Sequence, residues 1–211
     1  VTPNVDHLVH YRNSAAQRQV AESAYLVLPD GAPIVWASRL LGARIHRRLA
    51  GSDLFASWWH RVVAAQRPVL VIAAHETLAR QLLNEHPGCY CIVPPKLNAD
   101  DQAAIASLVI EVLAALKSCP ADAVVIGLST AKSHLVASGL AASPPPPTGA
   151  PLLLLLGASA ELYTGQQRRA PKWMQRTGTE WLYRLLSNPR RMAKRSSGVR
   201  MRTKSPCSRR A

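Results

Sequence analysis

Three short polar segments combine residue types that can bind a substrate and move a proton. The segment Thr2-Pro3-Asn4-Val5-Asp6 offers a hydroxyl, an amide and backbone N–H groups just before a predicted helix. Asp30 follows an apolar run, where its carboxylate can serve as a general base towards a hydroxyl. Arg48 precedes Ser52, a good helix N-cap, and a cation beside a helix N-terminus suits a diphosphate. Taken singly, the first two segments are more typical of a helix cap and a tight turn, and Arg48 is equally typical of a solvated surface arginine.

Patterns for a metal site or another catalytic site are weaker. Cys89 and Cys91 share one face of a predicted strand near His86, and we interpret them as small buried apolar residues rather than metal ligands. The sequence contains no GxGxxG, no phosphate-binding P-loop and no acidic DxD cluster. Asp30 and Glu161 are a widely spaced carboxylate pair that sequence alone does not place in one site. We therefore expect no tightly bound metal and no cofactor.

The elements that must position these residues alternate along the chain. Aliphatic runs predict strands at 24–28, 69–73, 90–93, 123–128 and 152–156. Helical patterns separate them at 33–41, 52–65, 76–85, 100–117 and 132–141. This alternation predicts an α/β fold with a Rossmann-like, mostly parallel sheet and helices on both faces. Ligands bind outside the carboxyl ends of such strands, so we expect Asp30 at that edge.

Charge divides the chain into a nearly neutral body and a basic end. Residues 1–167 carry 12 Lys and Arg against 11 Asp and Glu, whereas residues 168–211 carry 14 against one. We predict an α/β body at 1–165, a basic helical C-terminal appendage at 166–195 and a disordered basic tail at 196–211. Tryptophans among cations favour contact between the appendage and an anionic membrane surface. Packing of the appendage onto the body alone, or binding of nucleic acid, remain alternatives.

Four motifs, in this order, resemble one known family. They are Thr-Pro-Asn-Val-Asp-His at 2–7, Leu-Pro-Asp-Gly at 28–31, Arg-Leu-Ala-Gly-Ser-Asp-Leu at 48–54 and Arg-Arg-Ala-Pro-Lys-Trp-Met-Gln-Arg-Thr-Gly-Thr-Glu-Trp-Leu-Tyr-Arg-Leu-Leu at 168–186. Their order and spacing resemble the WecG/TagA/CpsF family of glycosyltransferases over about residues 1–195. The last motif is long and the most specific of the four.

The resemblance implies an activity as well as a fold. It implies inverting transfer, without a tightly bound metal, of a sugar such as N-acetylmannosamine, its uronic acid or glucose. The donor is a UDP-sugar and the acceptor is a saccharide on polyprenyl diphosphate. The expected products belong to cell-wall or exopolysaccharide biosynthesis at the inner face of the cell membrane, which the protein meets peripherally. No nucleic-acid partner is expected.

The resemblance also implies roles for individual residues. Asp30 matches the catalytic base, and Thr2, Asn4 and Arg48 match positions that line the active site. Lys132 matches a lysine in a motif near the donor substrate. The basic appendage positions implied to meet the acceptor diphosphate or the membrane are Arg184, Arg191 and Lys194.

Two segments depart from the family pattern. Ser-Thr-Ala-Lys-Ser-His at 129–134 replaces Gly-x-Pro-Lys-Gln-Glu, and only Lys132 is kept. Ala-His-Glu at 74–76 replaces the glycines expected after the strand at 69–73. Both segments are expected near the donor, and we expect His134 to face solvent from its helix. An impaired or truncated relative of the family, or a basic nucleic-acid-binding protein, is the alternative interpretation.

Overall fold

The computed structural model of the chain describes residues 1–43, 45–46, 48–171, 173–174 and 179–187. It divides into two compact units, Val1–Arg169 and Ala170–Ala211. The first unit contains the sheet and eight of the described helices, and the second contains one further described helix.

The first unit is built on a parallel sheet with the strand order β2-β1-β3-β4. Its strands are β1 (Val69–Ile72), β2 (Cys89–Ile92), β3 (Ala123–Ile126) and β4 (Leu152–Leu155). Val69 pairs with Cys89 on one side and with Ala123 on the other, and Ala123 pairs with Leu152. β1 and β3 are buried along their whole length, as continuous aliphatic runs predict for the centre of a parallel sheet.

Helices cover both faces of this sheet, which confirms the predicted α/β, Rossmann-like class. The described helices of the first unit are α1 (Val5–Asn13), α2 (Ala15–Glu22), α3 (Ala32–Leu40), α4 (Gly51–Ala64), α5 (Glu76–Glu85), α6 (Gln102–Ser118), α7 (Thr130–Ala142) and α8 (Ser159–Tyr163), and that of the second unit is α9 (Glu180–Ser187). Leu70 and Ile72 belong to the apolar core with α6 and α7. Val69 and Val71 belong to the opposite core with α4, α5 and α8. Side chains alternate across a strand, so β1 supplies both cores.

The predicted strand at 24–28 is wrong. This segment joins no strand of the sheet, and Leu26 and Val27 are about half exposed. Its backbone instead lies parallel to the start of the chain, with Leu28 N–H donating to the carbonyl of Val1 at 2.9 Å. Pro3, at the end of that partner segment, has no N–H to donate, so a regular ladder cannot extend through it.

Among the described residues, no helix combines the length and the apolar character needed to cross a bilayer.

Candidate active site

The carboxylate of Asp30 lies at the N-terminus of α4. Its Oδ2 accepts a hydrogen bond from the Gly51 N–H at 3.4 Å, and Gly51 is the first residue of that helix. The first N–H groups of a helix lack partners within the helix, and the helix dipole favours negative charge there. The Asp30 N–H donates to the Pro3 carbonyl at 2.8 Å. The side chain of Asp30 is therefore held by the start of α4, and its backbone is held by the loop that carries Thr2 and Asn4.

The side chain of Thr2 lies beside the same helix start and contacts the carboxyl end of β4. Thr2 is 6% exposed, and its Oγ1 donates to the carbonyl of Leu155, the last residue of that strand, at 3.5 Å. A Cβ added to Gly51 would lie 3.1 Å from both Thr2 Oγ1 and Ser159 Oγ. Gly51 is thus the residue that lets two hydroxyls approach the start of α4. Asp30 reaches the carboxyl edge of the sheet as expected, but through these contacts rather than through a strand of its own.

Asn4 caps a helix. Its Oδ1 accepts from the N–H of Asp6 at 3.0 Å and lies 3.4 Å from the N–H of His7, so this oxygen is engaged at the start of α1. The Oδ1 atom of Asn4 therefore acts as a helix cap, which was the alternative interpretation of the Thr2–Asp6 segment.

Arg48 is half-buried on the segment that leads into α4. The next residue, Leu49, donates its N–H to the Pro29 carbonyl at 3.0 Å, which fixes this segment beside Asp30. Positive groups surround the start of α4. The hydrogen bond from Arg169, followed by the charges of Arg169 and Arg48, holds the pKa of Asp53 below its usual value. The structure thus brings together the segments of Thr2, Asn4, Asp30 and Arg48.

Lys132 occupies the first turn of α7. The helix is fastened to α1 by the hydroxyl of Thr130, which donates to Asp6 Oδ2 at 3.1 Å. Of the three basic appendage positions, Arg184 lies on α9 in the second unit. The other two, Arg191 and Lys194, lie outside the described residues.

The expectation that His134 faces solvent is wrong. His134 is 1% exposed, and desolvation lowers its pKa. Its Nδ1 lies 2.7 Å from the Thr130 carbonyl and its Nε2 lies 3.2 Å from the Tyr11 hydroxyl. Helical periodicity did not reveal this burial, because α1 covers the face of α7 that carries His134.

Sequence reasoning also missed a polar contact between the loop after β1 and α8. His75 caps α5, with its Nδ1 accepting from the Leu78 N–H at 3.3 Å, and its Nε2 lies 3.4 Å from Glu161 Oε1. Gln167 donates to the other carboxylate oxygen of Glu161 at 2.5 Å. The only signal in the sequence was the departure of His75 from the family's glycines.

The two cysteines on β2 face the same way, as their spacing predicted. Cys89 is buried, and its Sγ lies 3.8 Å from that of Cys91. The hydrogen bond to Cys91, followed by burial, raises the pKa of the Cys89 thiol. Across the part of the chain that the structure describes, no three His, Cys, Asp or Glu residues are grouped to hold a metal ion.

The sequence matches the profile of a known protein family. The profile of the glycosyl transferase WecG/TagA/CpsF family matches residues 1–202. The chain belongs to this family. It is 30% identical over 185 residues to N-acetylglucosaminyldiphosphoundecaprenol N-acetyl-beta-D-mannosaminyltransferase of Bacillus spizizenii, and 25% identical over 178 residues to the protein of that name from Bacillus subtilis. These alignments cover 82% and 81% of the chain and 64% of each relative's length.

Proposed function

We propose that this member of the WecG/TagA/CpsF family is an inverting glycosyltransferase. It moves a hexose or N-acetylhexosamine from a UDP-sugar to a saccharide carried on polyprenyl diphosphate, in cell-wall or exopolysaccharide biosynthesis. The observation that carries this proposal is the carboxylate of Asp30 at the N-terminus of α4, beside the buried Thr2 hydroxyl at the carboxyl edge of the sheet. A base and hydrogen-bonding groups at that edge suit a sugar substrate.

The proposed chemistry is a single displacement. Asp30 takes the proton of an acceptor hydroxyl while that oxygen forms a bond to the anomeric carbon of the donor sugar. The bond between the anomeric carbon and the UDP oxygen breaks, and UDP leaves with the electron pair from the opposite face. The configuration at the anomeric carbon is therefore inverted, and the proton ends on Asp30.

The departing diphosphate needs positive groups, because charge develops on its oxygen in the transition state. Arg48 is fixed beside Asp30 by the Leu49–Pro29 hydrogen bond, and Lys132 stands in the first turn of α7. We assign both to the donor diphosphate, in a site that uses no tightly bound metal and no cofactor. The basic residues of the appendage, Arg184, Arg191 and Lys194, are assigned to the acceptor diphosphate or the membrane.

The printed names of the two Bacillus relatives suggest the first substrates to test. Both name an N-acetylmannosaminyl transfer to N-acetylglucosaminyl diphosphoundecaprenol. An acceptor of that kind lies in the membrane, so we place the protein peripherally at the cytoplasmic face. The excess of 14 basic over one acidic residue in 168–211 supports attraction to anionic headgroups.

The test is a transfer assay with the full chain. The protein is incubated with polyprenyl-diphosphate N-acetylglucosamine and with one of three donors: UDP-N-acetylmannosamine, its uronic acid form or UDP-glucose. The masses of the lipid products are then measured by mass spectrometry. We expect one donor to extend the acceptor by one sugar residue. Absence of product with every donor, although UDP binds, would favour the impaired relative that the altered segments at 74–76 and 129–134 suggest. Tight binding of RNA or DNA without vesicle binding would favour the nucleic-acid alternative.

A further inference from the structure

A cluster of three rings, of which His134 is fully buried, joins α1 to α7 and has no role in the chemistry above. It consists of His7 and Tyr11 on α1 and His134 on α7. The ring centroids of His134 lie 5.5 Å from His7 and 5.6 Å from Tyr11, and both pairs meet edge to face. Such pairs add about 0.5–1.5 kcal/mol beyond their buried area.

Both nitrogens of the His134 ring have partners, and these partners fix its tautomer. Nδ1 lies 2.7 Å from a carbonyl oxygen, that of Thr130, so Nδ1 carries the hydrogen and donates it. Nε2 is then the acceptor, 3.2 Å from the Tyr11 hydroxyl, which donates. The neutral imidazole satisfies both contacts, in agreement with the burial that lowers its pKa. The ring is therefore held in one orientation between the two helices.

The cluster reaches Asn4 through His7. His7 Nδ1 lies 3.0 Å from Asn4 Oδ1 and 3.3 Å from the Asn4 backbone nitrogen, and its tautomer decides which contact is the hydrogen bond. Close by, the Thr130 hydroxyl donates to Asp6 Oδ2 at 3.1 Å. The start of α1, which follows Asn4, and the start of α7, which carries Lys132, are thus joined by one partly buried set of contacts.

We propose that His134 is a positioning residue that fixes Asn4 and Lys132 relative to each other for binding of the UDP-sugar. This inference rests on the proposed function, which assigns Lys132 to the donor diphosphate, and on the active-site position that the family resemblance implies for Asn4. His134 contacts neither the donor nor the acceptor in this proposal. It acts by holding α7 against the capped end of α1. A small shift between groups that bind one substrate has a large effect on affinity.

Two substitutions at one position test the role. His134→Ala removes both hydrogen bonds and the ring contacts, and we expect the KM for the UDP-sugar to rise about ten-fold with kcat changed less than about three-fold. In His134→Gln the side-chain amide oxygen reaches the position of Nε2 and accepts from Tyr11. We expect it to restore KM to within about three-fold of the wild type. Tyr11→Phe, which removes only the hydroxyl, gives a smaller rise and serves if His134→Ala does not fold.

A matched control separates positioning from stability. Leu140→Ala removes a buried side chain of the same helix from the core beneath it, and Leu140 is not one of the three rings. We expect this variant to lower Tm while the KM for the donor stays unchanged. If Leu140→Ala raises KM as much as His134→Ala does, or if His134→Gln fails to restore it in a folded protein, the proposal is overturned.

Amide hydrogen exchange provides a readout that does not need catalysis. We expect exchange at residues 6–8, whose N–H groups donate to Asn4, to accelerate about ten-fold in His134→Ala and to be unchanged in Leu140→Ala. Unchanged exchange in His134→Ala overturns the inference even if the enzyme is active. If the wild type transfers no sugar, the proposed function fails by itself, and the exchange result still decides whether His134 holds the start of α1.

Discussion

At the start of α4, a carboxylate and two hydroxyls surround a residue that has no side chain. The Asp30 carboxylate accepts from the Gly51 N–H, while Thr2 and Ser159 occupy the space where a Gly51 side chain would stand. A single glycine thereby determines the shape of the candidate site. Its neighbours come from the first loop, from α8 and from the segment before α3, which lie far apart in the sequence.

Replacing this glycine therefore disturbs the site more than the fold. In Gly51→Val, the new Cβ lies 3.1 Å from the hydroxyl oxygens of Thr2 and Ser159. The two methyl groups of the valine extend beyond this Cβ and displace both side chains. We expect a loss of about 1–3 kcal/mol in the free energy of unfolding and at least a ten-fold loss of transfer activity. Ser57→Val places the same residue on an exposed position of α4 and controls for helix propensity. Equal transfer by Gly51→Val and Ser57→Val would contradict this account of the site.

The ion pair beside the site has a pH signature. Arg169 donates to both carboxylate oxygens of Asp53, with Nη2 3.1 Å from Oδ2, and this bond is the main cause of the lowered pKa of Asp53. Because the pKa of Asp53 is lower in the folded than in the unfolded state, the ionised carboxylate stabilises the fold at pH values above the unfolded-state pKa, about 4. This stabilisation is lost as the pH falls through the lower pKa of the folded state. Asp53 is 64% exposed, so we expect Arg169→Gln to lose less than about 1 kcal/mol at pH 7. Urea unfolding at pH 7 and at about pH 3 should show this difference shrinking in acid, and a difference that grows would refute the assignment.

At the scale of elements, one carboxylate connects three helices on one face of the sheet. Glu85, the last residue of α5, accepts from the indole N–H of Trp59 on α4 at 2.9 Å. The same oxygen accepts from the Tyr163 hydroxyl on α8 at 3.1 Å. Trp59 is fully buried, so its N–H depends on this acceptor.

Removing that acceptor leaves a donor without its partner. We expect Glu85→Ala to lower the free energy of unfolding by about 1–2 kcal/mol, since a buried N–H loses its hydrogen bond. Tyr163→Phe removes only the hydroxyl of a more exposed residue and should cost less than half as much. Denaturant unfolding of the two variants measures both values. A larger loss from Tyr163→Phe than from Glu85→Ala would show that the indole bond is not the main one.

The elements could be predicted from sequence where their burial is uniform or periodic. The strands β1 and β3 are continuous aliphatic runs, and α5 begins and ends where the pattern predicts. The segment 24–28 has the same composition as a buried strand, but composition does not tell whether a sheet neighbour is available. The helices α2 and α8 were not predicted, because short helices of eight and five residues carry little periodicity.

At the scale of the candidate site, the sequence predicted the residues and the fold supplied their contacts. Motif order identified Thr2, Asp30 and Arg48 before any geometry was known. The meeting of His75 with Glu161, and of His134 with Tyr11, depends on helices that pack across more than 80 residues of chain. No local pattern records such contacts, so the polar groups around the site could not be paired from the sequence.

At the scale of the whole molecule, the excess of basic residues at 168–211 predicts that the protein binds anionic membrane surfaces. Replacing Arg190, Arg191, Lys194 and Arg195 with glutamine removes four of the 14 basic residues of 168–211. Each basic residue near an anionic surface contributes about 1 kcal/mol, so we expect vesicle binding to weaken at least ten-fold. Flotation with phosphatidylglycerol vesicles measures this, and neutral phosphatidylcholine vesicles are the control. Unchanged flotation of the variant would place the membrane contact elsewhere in the chain.

The central claim is that the Asp30 carboxylate takes the proton of the acceptor. Asp30→Asn keeps the shape of the side chain and removes the base, so the rate of sugar transfer should fall about 10²–10⁴-fold while the affinity for UDP stays within about three-fold. The control is Asp101→Asn, since Asp101 caps α6 and has no role in the proposed chemistry. The decisive measurement is the single-turnover rate of transfer by Asp30→Asn, with UDP affinity measured on the same protein. A rate equal to that of the wild type would contradict the account, because the chemistry would then proceed without the base on which it depends.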